Sequence, residues 1–334
     1  MIVPDATLQD FFLRTGLGLP DEPAQWTPLA GGVSSDIRRV VTPSHDICIK
    51  RALPQLKVKA DWHAPISRNA SEWEWLQFVA RHVPTAVPEP LAHDAKAGLF
   101  AMRFLPAHDY PLWKAQLLEG KISLATAAAV GATLAIIHDA SAADASIPER
   151  FDTTDNFYAL RLEPYLLDTG RKHPALAGKL DSLIQTTIAS RVALVHGDVS
   201  PKNILVGPTS PVLLDAECAW YGDPAFDLAF CLNHLLLKCL VRPRQQDEYL
   251  AAFAALRDHY LAGVQWESTG ELEARAAALL PALFLARIDG KSPVEYLHDE
   301  RDQDLVRTCA IPLIEHAPAT LDAVVARWIA VLSR

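Results

Sequence analysis

Between residues 192 and 217 the chain carries two short apolar runs, and each hands over to polar groups at one end. The first is Val192-Ala-Leu-Val-His-Gly-Asp-Val-Ser-Pro-Lys-Asn-Ile-Leu-Val206, and the second is Val212-Leu-Leu-Asp-Ala-Glu217. Runs of this length and composition are β-type, and Gly207-Pro208 between them is turn chemistry. Asp198 and Asn203 are five positions apart, and Asp215 follows Asp198 by seventeen. One carboxylate that accepts a hydroxyl proton, with an amide and a second carboxylate as hard oxygen ligands for Mg²⁺, is what phosphoryl transfer asks of a protein. A lone His-Gly-Asp is weak and Asp-x-Ser-Pro is common turn chemistry, so the weight lies in the combined spacing.

The segment His196-Gly197-Asp198-Val-Ser-Pro-Lys-Asn203 resembles the catalytic loop of aminoglycoside phosphotransferases and their small-molecule kinase relatives, choline and methylthioribose kinases among them. Asp215 falls where the metal-binding Asp of that fold lies, and Trp220-Tyr-Gly-Asp-Pro-Ala-Phe-Asp-Leu-Ala229 is similar to the family's continuation. The resemblance implies Asp198 as catalytic base and Asn203 and Asp215 as Mg²⁺ ligands, with His196 and Asp227 supporting the loop. Protein kinases usually carry Arg before the catalytic Asp; Gly197 stands here, and no Ala-Pro-Glu follows Asp215, so the likeness is to the small-molecule branch. Lys202 is within reach of a phosphate, but an exposed loop lysine is the commoner reading.

A nucleotide-binding half is expected upstream. Leu29-Ala-Gly-Gly-Val-Ser-Ser-Asp-Ile37 resembles the family's phosphate-covering loop, in which Gly31 and Gly32 admit backbone N–H groups to phosphate and Ser34 and Ser35 add hydroxyls. By the same resemblance Lys50, on the strand-like run Asp46–Ala52, binds phosphate, paired with Glu72 in preference to Glu74 on a helix over 68–82. That helix is expected to face inward through Ala70, Trp73, Leu76 and Ala80. The insertion at 52–65, with Trp62, is similar to methylthioribose kinases. The apolar run over 99–105 reads as a strand; the resemblance implies that it leads into a hinge, where backbone groups of Arg103 and Leu105 contact adenine and Met102 lines the pocket.

On the substrate side, Arg287 and Asp289 follow an apolar helix over 276–286 and are named as substrate contacts, with a plain ion pair as the alternative. Phe151–Phe157 and Arg161 form a second polar stretch bordering the site. Small residues Ala127, Ala128, Gly131 and Ala135 predict close packing of a helix over 124–138, and Leu321 to Leu332 repeats with helical period.

The resulting fold is α+β, bilobal and protein-kinase-like: residues 1–103 as a small β-rich nucleotide lobe and 104–334 as a larger helical lobe. A net charge of −9 over 334 residues argues against a nucleic-acid partner. No signal peptide and no uninterrupted apolar stretch of about 18 residues point away from membranes and toward the cytoplasm. Five cysteines without a Cys-x-x-Cys spacing read as buried reduced thiols. The expected reaction moves the γ-phosphate of ATP or GTP to a hydroxyl of a sugar, a methylthioribose-like compound or an amino alcohol. The alternatives are an aminoglycoside-modifying kinase, drawn to polycations by the acidic run Glu295, Asp299, Glu300, Asp302 and Asp304, and a non-catalytic nucleotide-binding relative.

Overall fold

The computed structural model describes residues 4–29, 35–53 and 67–333. Five strands form one antiparallel sheet: β1 (Gln25–Pro28), β2 (Ser35–Val41), β3 (Asp46–Ala52), β4 (Pro90–Asp94) and β5 (Leu99–Arg103), in the order β1-β2-β3-β5-β4. Strand β3 explains how Lys50 reaches a site. Side chains alternate across a sheet, so Ile47 and Ile49 point to one face, where Phe11 and Phe12 of helix α1 (Ala6–Arg14) and Trp26 cover them. Lys50 points to the other, where helix α2 (Arg68–His82) lies. The sheet is thereby apolar on one side and equipped for chemistry on the other.

Helix α2 is buried on more than the expected stripe. Ala70 and Ala80 are only half-buried, whereas Arg68, Asn69, Glu72, Trp73, Trp75, Leu76, Phe78 and Val79 are buried. The helix is wedged between the sheet, where Trp73 meets Phe100, and the larger lobe, where Trp75 sets its ring edge-on to His196 at 4.8 Å. A helix with two covered sides does not display the single stripe that periodicity detects.

Beyond β5 and helix α3 (Trp113–Leu118) the chain is mainly helical. Helix α4 (Leu124–Ala142) packs on helix Gln246–Ala262, and a Cβ at Gly131 would sit 2.1 Å from the carbonyl oxygen of Leu256. Only glycine allows that approach, as the small-residue stripe predicts. By length and mean hydropathy (1.3) α4 is also the one helix among the described residues apolar enough to cross a membrane, yet half of it is buried within the fold. The sequence expectation of no such segment counted uninterrupted apolar residues and passed over it. Helix Ala225–Val241 is buried from Ala225 to Leu240, and Thr269–Asp289 lies beside it. The final helix, Leu321–Leu332, buries Leu321, Val324, Trp328 and Val331 and leaves Ile329 exposed. All five cysteines are buried and free.

Two small ribbons carry the segment singled out in the sequence. Strand β6 (Ala193–Val195) pairs with β9 (Trp220–Gly222), and β7 (Ile204–Val206) pairs with β8 (Pro211–Leu213). Residues 196–203 and 214–219 are the loops that join them.

Candidate active site

The two loops are fastened to each other. The Leu214 amide donates to the Asn203 carbonyl at 2.9 Å, and His196 Nε2 lies 3.1 Å from the Leu214 carbonyl. His196 Nδ1 receives the Asp198 amide at 3.1 Å, so Nε2 carries the proton it gives to Leu214. Burial holds this imidazole below its usual pKa, against Asp227 and Asp198, and the neutral form fits that bonding. From the helix behind, Asp227 accepts the amides of His196 (2.7 Å) and Gly197 (2.8 Å) on its two carboxylate oxygens. Gly197 adopts φ 77°, and a side chain there would meet the Cys218 carbonyl at 2.8 Å. The loop therefore needs glycine on steric grounds.

Asp198 is 2% exposed. Its Oδ2 accepts Arg161 Nη2 (2.8 Å), Asn203 Nδ2 (2.8 Å) and Lys202 Nζ (3.2 Å), while Oδ1 is buried without a partner among the described residues. Burial pushes the carboxyl up, but the Arg161 and Lys202 cations outweigh it and hold Asp198 below the usual carboxylate range. Asp198 is thus ionised, pinned through one oxygen, with the other left to receive a proton donor.

Lys50, 3% exposed, sits between two carboxylates: Glu72 at 2.7 Å and Asp215, to which it also hydrogen-bonds. Burial alone would push the ammonium down; Asp215 and then Glu72 outweigh it and hold Lys50 firmly cationic. One cation serves two acids unequally. Asp215 is drawn well below the carboxylate range by Lys50 against the effect of burial, while burial pushes Glu72 up to about 7 despite Lys50. Glu74 is elsewhere, paired with Arg150 at 2.5 Å. Asp215 has φ 67°, in the left-handed region that Asp tolerates better than most residues, and this turns its carboxylate away from the strand path toward Lys50.

Asn203 and Asp215 suit a hard divalent cation. Both Asn203 hydrogen bonds to Asp198 use Nδ2, which turns the amide oxygen away as a free acceptor. Asp215 is ionised, and a third of its side chain reaches solvent. Among the described residues no group of three or more His, Cys, Asp and Glu forms a closed metal cage. Mg²⁺ characteristically takes one or two protein oxygens and fills the rest with water and phosphate.

Gly31, Gly32, Ser34 and Trp62 lie outside the described residues; Ser35 is buried at the start of β2. Met102 is half-buried against the large core. The Arg103 amide is committed to the Glu89 carbonyl at 2.9 Å, which removes that N–H from the expected adenine contacts and leaves the carbonyl and Leu105. Arg287 and Asp289 part company. Arg287 turns inward, its Nη1 donating to Tyr165 Oη (2.9 Å) and the Ser292 carbonyl (2.5 Å). Asp289 is held by Arg307 (2.8 Å) and His173 (2.9 Å), the kind of ion pair given as its alternative.

The fit between the chain and known sequences decides its membership. The sequence model described as "Phosphotransferase enzyme family" matches residues 25–262. The chain belongs to this family. The methylthioribose kinase of Yersinia enterocolitica is 26% identical over 219 residues, covering 57% of this chain and 54% of that protein, so the chain spans about half the length of the curated relatives it matches. Two solved structures share the fold. A choline/ethanolamine kinase family protein from Mesorhizobium loti has a TM-score of 0.52 at 16% identity, covering 98% of each chain. An amicoumacin kinase solved in complex with AMP-PNP, Ca²⁺ and Ami has a TM-score of 0.59 at 15% identity, covering 95% of this chain and 96% of that one. The α+β kinase-like architecture is common to these phosphotransferases.

Two functional features escaped a reading of the sequence. Arg161, expected only to border the site, lies on a wide helix of π type, Tyr158–Leu167, and also donates Nε to the Gly197 carbonyl at 2.6 Å. An arginine inside the apolar run Tyr-Ala-Leu-Arg-Leu was its one signal. Arg68 reaches Glu217 at 3.0 Å and the Leu53 carbonyl at 2.6 Å, tying α2 to the loop after Asp215. Only long-range packing creates that pair.

Proposed function

We propose that this chain transfers the γ-phosphoryl group of ATP or GTP to a hydroxyl of a small molecule. The observation that carries the reading is the meeting of Lys50, Glu72 and Asp215 beside the pinned, ionised Asp198. The Lys50 cation holds nucleotide phosphates, and Glu72 fixes its position. Asn203 and Asp215 would hold Mg²⁺, which when bound neutralises charge on the phosphates. Asp198 Oδ1 accepts the acceptor's O–H and points its oxygen at the γ-phosphorus. The new O–P bond forms as the bond from phosphorus to the β–γ bridging oxygen breaks, the nucleoside diphosphate leaves, and the hydroxyl proton passes to Asp198 and on to solvent. A carboxylate held below its usual pKa is a weak base, so its main work is orientation, with proton transfer late. That suits a loose transition state, in which the nucleophile needs little prior activation.

Methylthioribose and related sugars are the first acceptors to try, given the relatives. Coupled release of ADP across sugars, amino alcohols and aminoglycosides tests the reading. Asp198→Asn is expected to lower turnover by about 10²- to 10⁴-fold with nucleotide affinity retained. Equal turnover in that variant rules the assignment out.

A further inference from the structure

Beside the catalytic loop lies a second, unassigned group of charges. A recess of about 20 Å³ is lined by Lys114, Lys202, His234, Lys238, Arg287 and Glu295. Lys202 belongs to both places, since its Nζ is 3.2 Å from Asp198 Oδ2. Lys238 is 1% exposed and Arg287 7%. Neither has a carboxylate partner among the described residues. Lys238 makes only long bonds, to the His234 carbonyl (3.4 Å) and Tyr296 Oη (3.5 Å), with its ammonium 4.9 Å from the Tyr296 ring centre. Arg287 leaves its Nε buried and unbonded. Glu295, the one acid among the described residues that line the recess, is taken by Lys114. In a chain of net charge −9, a spot with four cations and one committed carboxylate runs against the overall balance.

Buried, unpaired cations are costly unless an anion joins them. Burial, reinforced by Lys114, pushes Lys238 down to about 7, which is the response of a cation left without its counter-charge. Polycations would meet repulsion here. Three of the five acids named for attracting them are engaged otherwise: Glu295 with Lys114, Asp304 with Arg307, and Asp299 as a cap accepting the Arg301 amide; Glu300 and Asp302 lie in the first turn of helix Glu300–Glu315.

We propose that this recess is an anion subsite for the phosphoryl acceptor: the hydroxyl compound carries a carboxylate or phosphate that Lys238 and Arg287 receive while its hydroxyl faces Asp198. This rests on the phosphotransferase reading and names its substrate class. A hydroxy acid or a phosphorylated alcohol supplies that anion and is expected to bind more tightly than the neutral sugars that the relatives suggest; an aminoglycoside supplies none.

The test is calorimetric titration of the full chain with ADP and Mg²⁺ already bound, so that the phosphate positions of the nucleotide are filled. Gluconate and glycerol phosphate are the anionic probes, with glucose and glycerol as their neutral counterparts and kanamycin as the polycation. At least one anion is expected to bind about tenfold or more tightly than its neutral counterpart, and the stronger of the two identifies carboxylate or phosphate. Lys238→Met is expected to weaken that anion by about thirtyfold, with ADP affinity unchanged. Removing an unpaired buried cation in favour of an apolar side chain is tolerated or stabilising; should that variant not fold, Lys114→Met on the rim carries the same expectation at about fivefold. No anion binding, anion binding untouched by these substitutions, or tighter binding of kanamycin each overturns the subsite. ADP that fails to bind while the anion still does would sink the phosphotransferase reading alone.

Discussion

Arg161 Nη2 lies 2.8 Å from Oδ2 of Asp198, the same oxygen that receives the Asn203 amide. This bond leaves Oδ1 for a substrate and holds the carboxyl below its usual pKa against its burial. Arg161→Met removes the leading opposing cation, so Asp198 titrates higher. The acid limb of the kcat/KM profile is expected to move to higher pH, with kcat down by about ten- to a hundredfold at neutral pH. Arg161→Lys, which keeps a cation but not the Nε bond to Gly197, is expected to restore the limb more than the rate. A pH profile unmoved by Arg161→Met would make the arginine a packing residue only.

Gly197 holds φ 77° with the Cys218 carbonyl 2.8 Å from where a Cβ would be. Gly197→Ala therefore pays twice, in backbone strain and in displacement of the loop between His196 and Asp198. A loss of about 1–3 kcal/mol in urea unfolding is expected, with turnover falling further than stability does. Gly178, on the exposed side of helix Ala177–Ala189 with open space around it, is the control. There the same substitution is expected to be neutral or stabilising by up to about 1 kcal/mol.

What the sequence made legible follows from locality. The strands around Lys50 and the helix bearing Glu72 were readable because their signals lie within a few residues, and the structure places them at Asp46–Ala52 and Arg68–His82. The loop of Asp198 and Asn203 stood out because those polar residues lie five positions apart on one short segment. Arg161 was not, because a side chain 37 positions upstream of Asp198 becomes its partner only through the packing of helix Tyr158–Leu167. For Asp289 the sequence left two readings open, and the ion pair with Arg307, on the next helix, was not legible because that partner lies 18 positions on. Lys238 was hidden inside a helix buried on every side, where charge has no periodic signature.

Lys50 links the buried Glu72 to the partly exposed Asp215, so the order of losses on substitution is informative. Lys50→Met strands the Glu72 and Asp215 carboxylates together and is expected to cost about 3–5 kcal/mol in unfolding free energy. Pairing it with Glu72→Gln removes one stranded acid and is expected to recover part of that loss, a non-additivity that a double-mutant cycle measures. Nucleotide affinity recovers in neither, because the cation facing the phosphates is gone. Strict additivity in the cycle would mean that Lys50 and Glu72 do not share one electrostatic unit.

Glu72 also sets a distinctive pH signature. Burial pushes its folded-state pKa up to about 7, above the 4.5 of an unperturbed glutamate, so the folded protein holds a proton that the unfolded chain has released between those values. Stability from this group is therefore full below about pH 4.5 and drains as pH rises through about 7, with a slope of at most about 1.4 kcal/mol per pH unit. The buried imidazoles of His196 and His234 act in the opposite sense: their pKa values are depressed by burial, and stability is lost as pH falls below 6.5. The two trends mask each other in the parent protein. They separate in Glu72→Gln, whose stability relative to the parent is expected to improve steadily from pH 5 to pH 7 in urea titrations. A constant difference across that range would mean that Lys50 keeps Glu72 ionised throughout, and that Asp215 does not outcompete it for the shared ammonium.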